Sequence, residues 1–168
     1  MRAGLDVGVE LDRPHARRVR RELRRHAAME HAARVLRRRD VSAAELDARL
    51  VRARVAPAAR SETIERLTDA GAVDDTRFSK ARAQALADRG AGDLLVRHDL
   101  AARGIEASAI EDAIALLEPE SVRAARIRDR RGSGAKTARY LAGKGFSEEA
   151  IESSCAEGVA EDGPPAVR

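Results

Sequence analysis

Two stretches that repeat one another constrain this chain more than any other feature. Residues 100–110 read LAARGIEASAI and residues 141–151 read LAGKGFSEEAI. Both run Leu, two small residues, Arg or Lys, Gly, an apolar residue, and then Ile five positions later. The roles match as well as the letters. Leu100 or Leu141 closes one helix face, Gly104 or Gly145 permits a tight turn, Ile105 or Phe146 pins it, and Ile110 or Ile151 begins the next apolar stripe. A weaker copy, LVRARV at 50–55, has Arg54 in place of the glycine, and its next stripe residue, Ile64, comes four positions later than in the other copies, as a longer turn would require. A helix precedes each copy, at about 31–39, 76–89 and 121–131, so the unit is three helices. Units of this size cannot bury a core alone and must stack on neighbours. The expected fold is all-α, an elongated array of three tandem three-helix repeats at 31–71, 72–118 and 119–158. A basic, partly disordered leader (1–30) precedes them and a disordered tail (159–168) follows.

Helix punctuation agrees with this plan. Ser42 with Glu45 forms a capping box for a helix reaching about Arg54, Pro57 closes the connection, and a second helix from about Ser61 carries Ile64 and Leu67 up to Gly71. Asp74 and Asp75 cap a helix containing Phe78, Ala81 and Ala85; as adjacent residues at a helix start they diverge, which suits capping rather than a metal or acid/base pair. Ile110, Ala113, Ile114 and Leu117 make a one-faced stripe that Pro119 ends. The Gly132-Ser133-Gly134 loop separates an arginine-rich helix from one marked by Ala138, Leu141 and Ala142, and Ser147 starts the last helix, with Ile151 and Cys155. Aromatic residues are 2% of the chain, Phe78, Tyr140 and Phe146, so its core must come from Ala, Leu, Ile and Val.

Chemistry-bearing constellations are missing from the sequence. The single Cys155 has no disulfide partner and reads as a small buried hydrophobe, which points to a reducing, cytoplasmic setting. His15, His26, His31 and His98 accompany no nucleophile motif, and no Cys/His cluster has metal-ligand spacing. No segment approaches the roughly 18 apolar residues of a membrane span. The reading is of a monomer without catalysis, cofactor, metal or membrane. Charge is local: residues 13–39 hold eleven arginines against Glu22 and Glu30, a balance of +9 in a chain whose total is +4. Such a block is the electrostatic footprint of nucleic acid or of an acidic protein surface.

SAAELDARL at 42–50, LTDAGAVDDTRF at 67–78, GDLLVRHDLAARGI at 92–105 and YLAGKGF at 140–146 together resemble the RecX family of regulators of the RecA recombinase. The middle segment is the most specific of the four. The resemblance covers roughly residues 30–157. It departs from the family pattern at Arg54, at His98-Asp99, and in the arginine-rich leader. What it implies is a set of tandem three-helix repeats lying in the groove of a RecA filament on DNA, restraining ATPase and strand exchange in repair and recombination. On that reading Arg97 and Arg103 in the second repeat, with Lys136, Arg139 and Lys144 in the third, face the recombinase. Arg17, Arg18, Arg20, Arg21, Arg24 and Arg25 attract DNA weakly and without sequence readout. The alternative is a helix-turn-helix transcriptional regulator, which operator binding by the isolated protein would reveal.

Overall fold

The computed structural model describes residues 12–156; among them every regular element is helical. In chain order these are α1 (Arg13–Leu36), α2 (Ala43–Arg52), α3 (Pro57–Asp69), α4 (Asp75–Ala87), α5 (Asp93–Ala102), α6 (Ala107–Ala115), α7 (Glu120–Arg131), α8 (Ala135–Gly143) and α9 (Glu148–Ala156). The expectations for residues 1–11, for the tail and for the Cys155 side chain lie outside the described residues. Caps form where the sequence places them. Ser42 Oγ accepts the Glu45 N–H at 3.1 Å, Asp74 Oδ1 accepts the Arg77 N–H at 2.8 Å, and Ser147 Oγ accepts the Ala150 N–H at 3.2 Å.

All three copies of the turn adopt one geometry. Arg54, Gly104 and Gly145 have φ of 57°, 73° and 79°. In each the next residue donates its N–H back to the leucine carbonyl: Val55 to Leu50 at 3.0 Å, Ile105 to Leu100 at 3.2 Å, Phe146 to Leu141 at 3.1 Å. This is the left-handed helix terminus that glycine favours and that an arginine here tolerates. The expected longer first turn is a misreading. Pro57 opens α3 at its first position, where a missing N–H costs nothing. That helix starts two residues after Val55, as α6 starts two after Ile105. The residue aligned with Ile110 is therefore Arg60, and Ile64 aligns with Ile114. Two further expectations shift. The boundary at residue 30 falls inside α1, which continues unbroken from Arg13 to Leu36, and the buried face of α4 is Phe78, Ser79 and Ala83, with Ala81 exposed.

The helices group in threes around separate cores. Ala32, Val35, Val41, Leu46, Leu50 and Val73 form the first, flanked by Val55, Ile64 and Leu67. Phe78, Ala83, Val96, Leu100, Ile105, Ile110 and Ala113 form the second, and Ala124, Leu141 and Phe146 the third. The chain divides into two compact units, one ending at Val73 and the other starting at Asp74. The second and third groups thus share a unit, for a reason their junction makes plain.

Candidate partner-binding surfaces

At that junction Arg123 on α7 is the one buried charged residue among those described, 7% exposed. Its guanidinium donates to the Glu118 carbonyl at 2.9 Å, to the Ala91 carbonyl at 2.7 Å and to Asp93 Oδ1, and sits 5.8 Å from the Phe146 ring centroid. Burial pushes the Asp93 carboxyl up, with Arg123 opposing it. Glu120 bridges two helix starts, accepting from the Asp93 N–H at 2.6 Å and from the Ser147 hydroxyl at 2.5 Å. The repeat turn itself docks here: the Gly92 N–H donates to the Lys144 carbonyl at 2.9 Å and the Leu94 N–H to the Gly145 carbonyl at 3.0 Å. A Cβ on Gly92 would lie 2.3 Å from Gly145 and Phe146 backbone atoms, so this approach admits only glycine. Gly92 and Gly145 are packing residues as much as turn residues.

The five cations proposed to meet a partner sit in unlike surroundings. Arg97 on α5 makes a two-pronged pair with Glu111 on α6, at 2.7 and 2.9 Å, and holds the Glu111 carboxyl below its usual range. Arg103 joins Arg82 of α4 on Asp99, each with a bond of 2.8 Å, and Arg82 first, then Arg103, hold that carboxyl far below the ordinary carboxylate value. These pairs tie α5 to α6 and to α4. On α8, Lys136 and Arg139 are exposed, while Lys144, the residue capping its C-terminus, is half-buried with its ammonium 5.7 Å from the Tyr140 ring. The other ring contact is closer, Arg131 at 3.9 Å. Tyr140 and Arg131 help line a cleft of about 630 Å³ with Arg89, Arg126 and Arg130, a site the sequence reading missed because α4, α7 and α8 build it jointly.

In the leader Arg17, Arg18, Arg20, Arg21 and Arg24 are exposed. Arg25 is different: its Nε donates to Glu62 of α3 at 2.6 Å and its other arm to Glu22 at 2.7 Å, so it clamps α1 onto its own unit. Among the described residues no group of three or more His, Cys, Asp or Glu is placed to hold a metal, and no helix is long and apolar enough to cross a membrane.

Among the described residues the fold defines an all-helical protein whose helices group in threes, with its basic residues concentrated on α1 and α7. No protein-family model matches the chain. It is 32% identical over 144 residues to regulatory protein RecX of Xanthomonas axonopodis pv. citri (strain 306), covering 80% of this chain and 89% of that one. It is 33% identical over 135 residues to regulatory protein RecX of Chromohalobacter salexigens, covering 74% and 88%. Two crystal structures share the fold. One is of regulatory protein RecX, with a TM-score of 0.74 at 19% identity over 88% of this chain and 81% of that one. The other, RecX from Lactobacillus salivarius, has a TM-score of 0.72 at 18% identity over 80% and 96%. The chain belongs to the RecX family of regulatory proteins.

Proposed function

We propose that this protein binds the RecA filament on DNA and lowers its ATPase and strand-exchange activities. The observation that carries the reading is membership of the RecX family over most of the chain. The exposed cations of α8 support it as a contact surface. Lys136 and Arg139 stand clear of any ion pair among the described residues, so they meet an acidic recombinase surface without first breaking an internal bond. Reversing Arg97, by contrast, also removes a tie between α5 and α6, and reversing Arg103 removes one of the two arginines that hold Asp99.

The test is a titration of RecA's DNA-dependent ATPase. The expected result is a falling rate with the wild-type chain. With Lys136→Glu and Arg139→Glu together, half-inhibition should need at least about tenfold more protein at unchanged helicity, because reversed charges at a contact repel. An ATPase rate indifferent to the wild-type chain would sink the regulatory reading, and tight binding to one operator sequence would favour the helix-turn-helix alternative.

A further inference from the structure

The arginines of α1 are not spread evenly around it. Arg13, Arg17, Arg20, Arg24, Ala27, His31 and Arg34 follow one another in alternating steps of four and three residues, which places them on one face. Arg38, just past the helix, is the next step. All are exposed except half-buried His31, and Ala27 alone interrupts the row of basic residues. The two glutamates of α1 lie off this stripe and are engaged elsewhere, Glu22 with Arg25 at 2.7 Å and Glu30 with His26 at 3.8 Å. None of Arg17, Arg20, Arg24, Arg34 and Arg38 has an ion-pair partner among the described residues. At 1.5 Å per residue the stripe from Arg13 to Arg34 is about 32 Å long.

Its C-terminal end opens into a groove of about 450 Å³ within the first unit. His31, Arg34, Val35 and Arg38 line one side, and Arg49, Arg52 and Ala53 the other. No carboxylate lines it. Arg49 holds Glu45 at 3.0 Å through one terminal nitrogen, but its Nε is buried without a hydrogen-bond partner.

We infer that the α1 stripe and the α1–α2 groove form one continuous track for the phosphate backbone of duplex DNA. The inference rests on, and sharpens, the DNA-binding part of the function proposed above. Length argues for a polyanion rather than a small anion, because the cations run the whole helix. Apolar anchors argue against an acidic protein: the groove offers Val35 and Ala53 alone, and protein hot spots are built on buried aromatic and apolar anchors. Single strands are bound through aromatic stacking platforms, and the chain's three aromatics all lie in the other unit. A straight row of point charges without base-reading groups suits a stiff duplex held by its phosphates.

Two variants of the full chain with equal charge change separate the track from mere net charge. One is Arg20→Gln, Arg24→Gln and Arg34→Gln, on the stripe; the other is Arg18→Gln, Arg21→Gln and Arg37→Gln, off it. Fluorescence anisotropy with a labelled duplex over a range of salt should show the first weakened at least tenfold. Its plot of log affinity against log salt should be shallower by about 2.7, the release of counterions from three phosphates. The second should change less than threefold. Equal weakening of both, no weakening of either, tighter binding of a single strand than of the duplex, or equal competition by polyglutamate would each overturn the track. This split between the variants, together with a wild-type chain that leaves RecA's ATPase untouched, would overturn the regulatory reading alone.

Discussion

Arg17, Arg18, Arg20, Arg21 and Arg24 on α1 stand in solvent, whereas Arg123 on α7, also an arginine-rich helix, is enclosed by two carbonyls, a carboxylate and an aromatic ring. Composition does not separate the two helices. What separates them is what lies opposite. The first half of α1 has no buried residue before Ala28, so its charges face water. The start of α7 faces the ends of two other helices, whose unpaired backbone groups need a partner that arginine's planar donors can reach. Arginine thus serves α1 as a surface charge and α7 as an internal brace.

The strongest way to break this contrast is to remove one arginine from each helix. Arg123→Ala leaves Asp93 and two carbonyls without their donor and should cost about 3–5 kcal/mol, whereas Arg17→Ala should stay within about 0.5 kcal/mol of wild type. Urea unfolding measures both, and equal costs would refute the brace.

A second comparison sets the docked turn against one with room around it. Gly145 and Gly71, each just past the C-cap of a helix, both have positive φ, 79° and 68°, so a side chain is strained at either. A Cβ at Gly145 meets the Leu95 backbone nitrogen at 2.6 Å, while one at Gly71 meets nothing within 4 Å. Gly71→Ala should cost about 1 kcal/mol, from conformation alone. Gly145→Ala should cost about 1–3 kcal/mol more, because overpacking adds to it. Melting temperatures that fall equally would show that the turn does not dock.

Between the solvated and the enclosed arginines lie Arg82 and Arg103, a quarter exposed and sharing Asp99. Because the pair holds the Asp99 carboxyl below its unfolded value, its stabilisation is present above about pH 4 and is lost as the pH falls through the folded value. Asp99→Asn should cost on the order of 2 kcal/mol at pH 7 and remove that share of the acid dependence. The check is urea unfolding at pH 7 and pH 3. A variant as acid-sensitive as wild type would show that Asp99 is not held low.

Local signals carried most of the helical plan. Caps at Ser42, Asp74 and Ser147 were legible because they act within one helical turn, and the leucine-to-glycine turns because their hydrogen bonds span five residues. The misreadings share a cause. Apolar character matches Ile64 to Ile110, yet Arg60 takes the aligned position by bonding Asp47 at 2.8 Å and the Val55 carbonyl at 3.2 Å. Charge sets the basic leader apart from the first repeat in the sequence, although a change in charge does not end a helix. Arg123 is invisible as a brace because two of its partners are backbone carbonyls that carry no letter, one of them 32 residues away, and its carboxylate partner Asp93 lies 30 residues away.

The hydrogen bonds at the start of α5 also set an order of events on the ribosome. Gly92, Asp93 and Leu94 donate to Lys144, Glu120 and Gly145, residues translated 27 to 52 positions later. A nascent chain ending near residue 118 therefore has the second core in hand but three amides at a helix start still answered only by water. The second helical group reaches its final form only once the third has been made, and a message truncated between them yields a domain with an unfinished end rather than a smaller version of the protein.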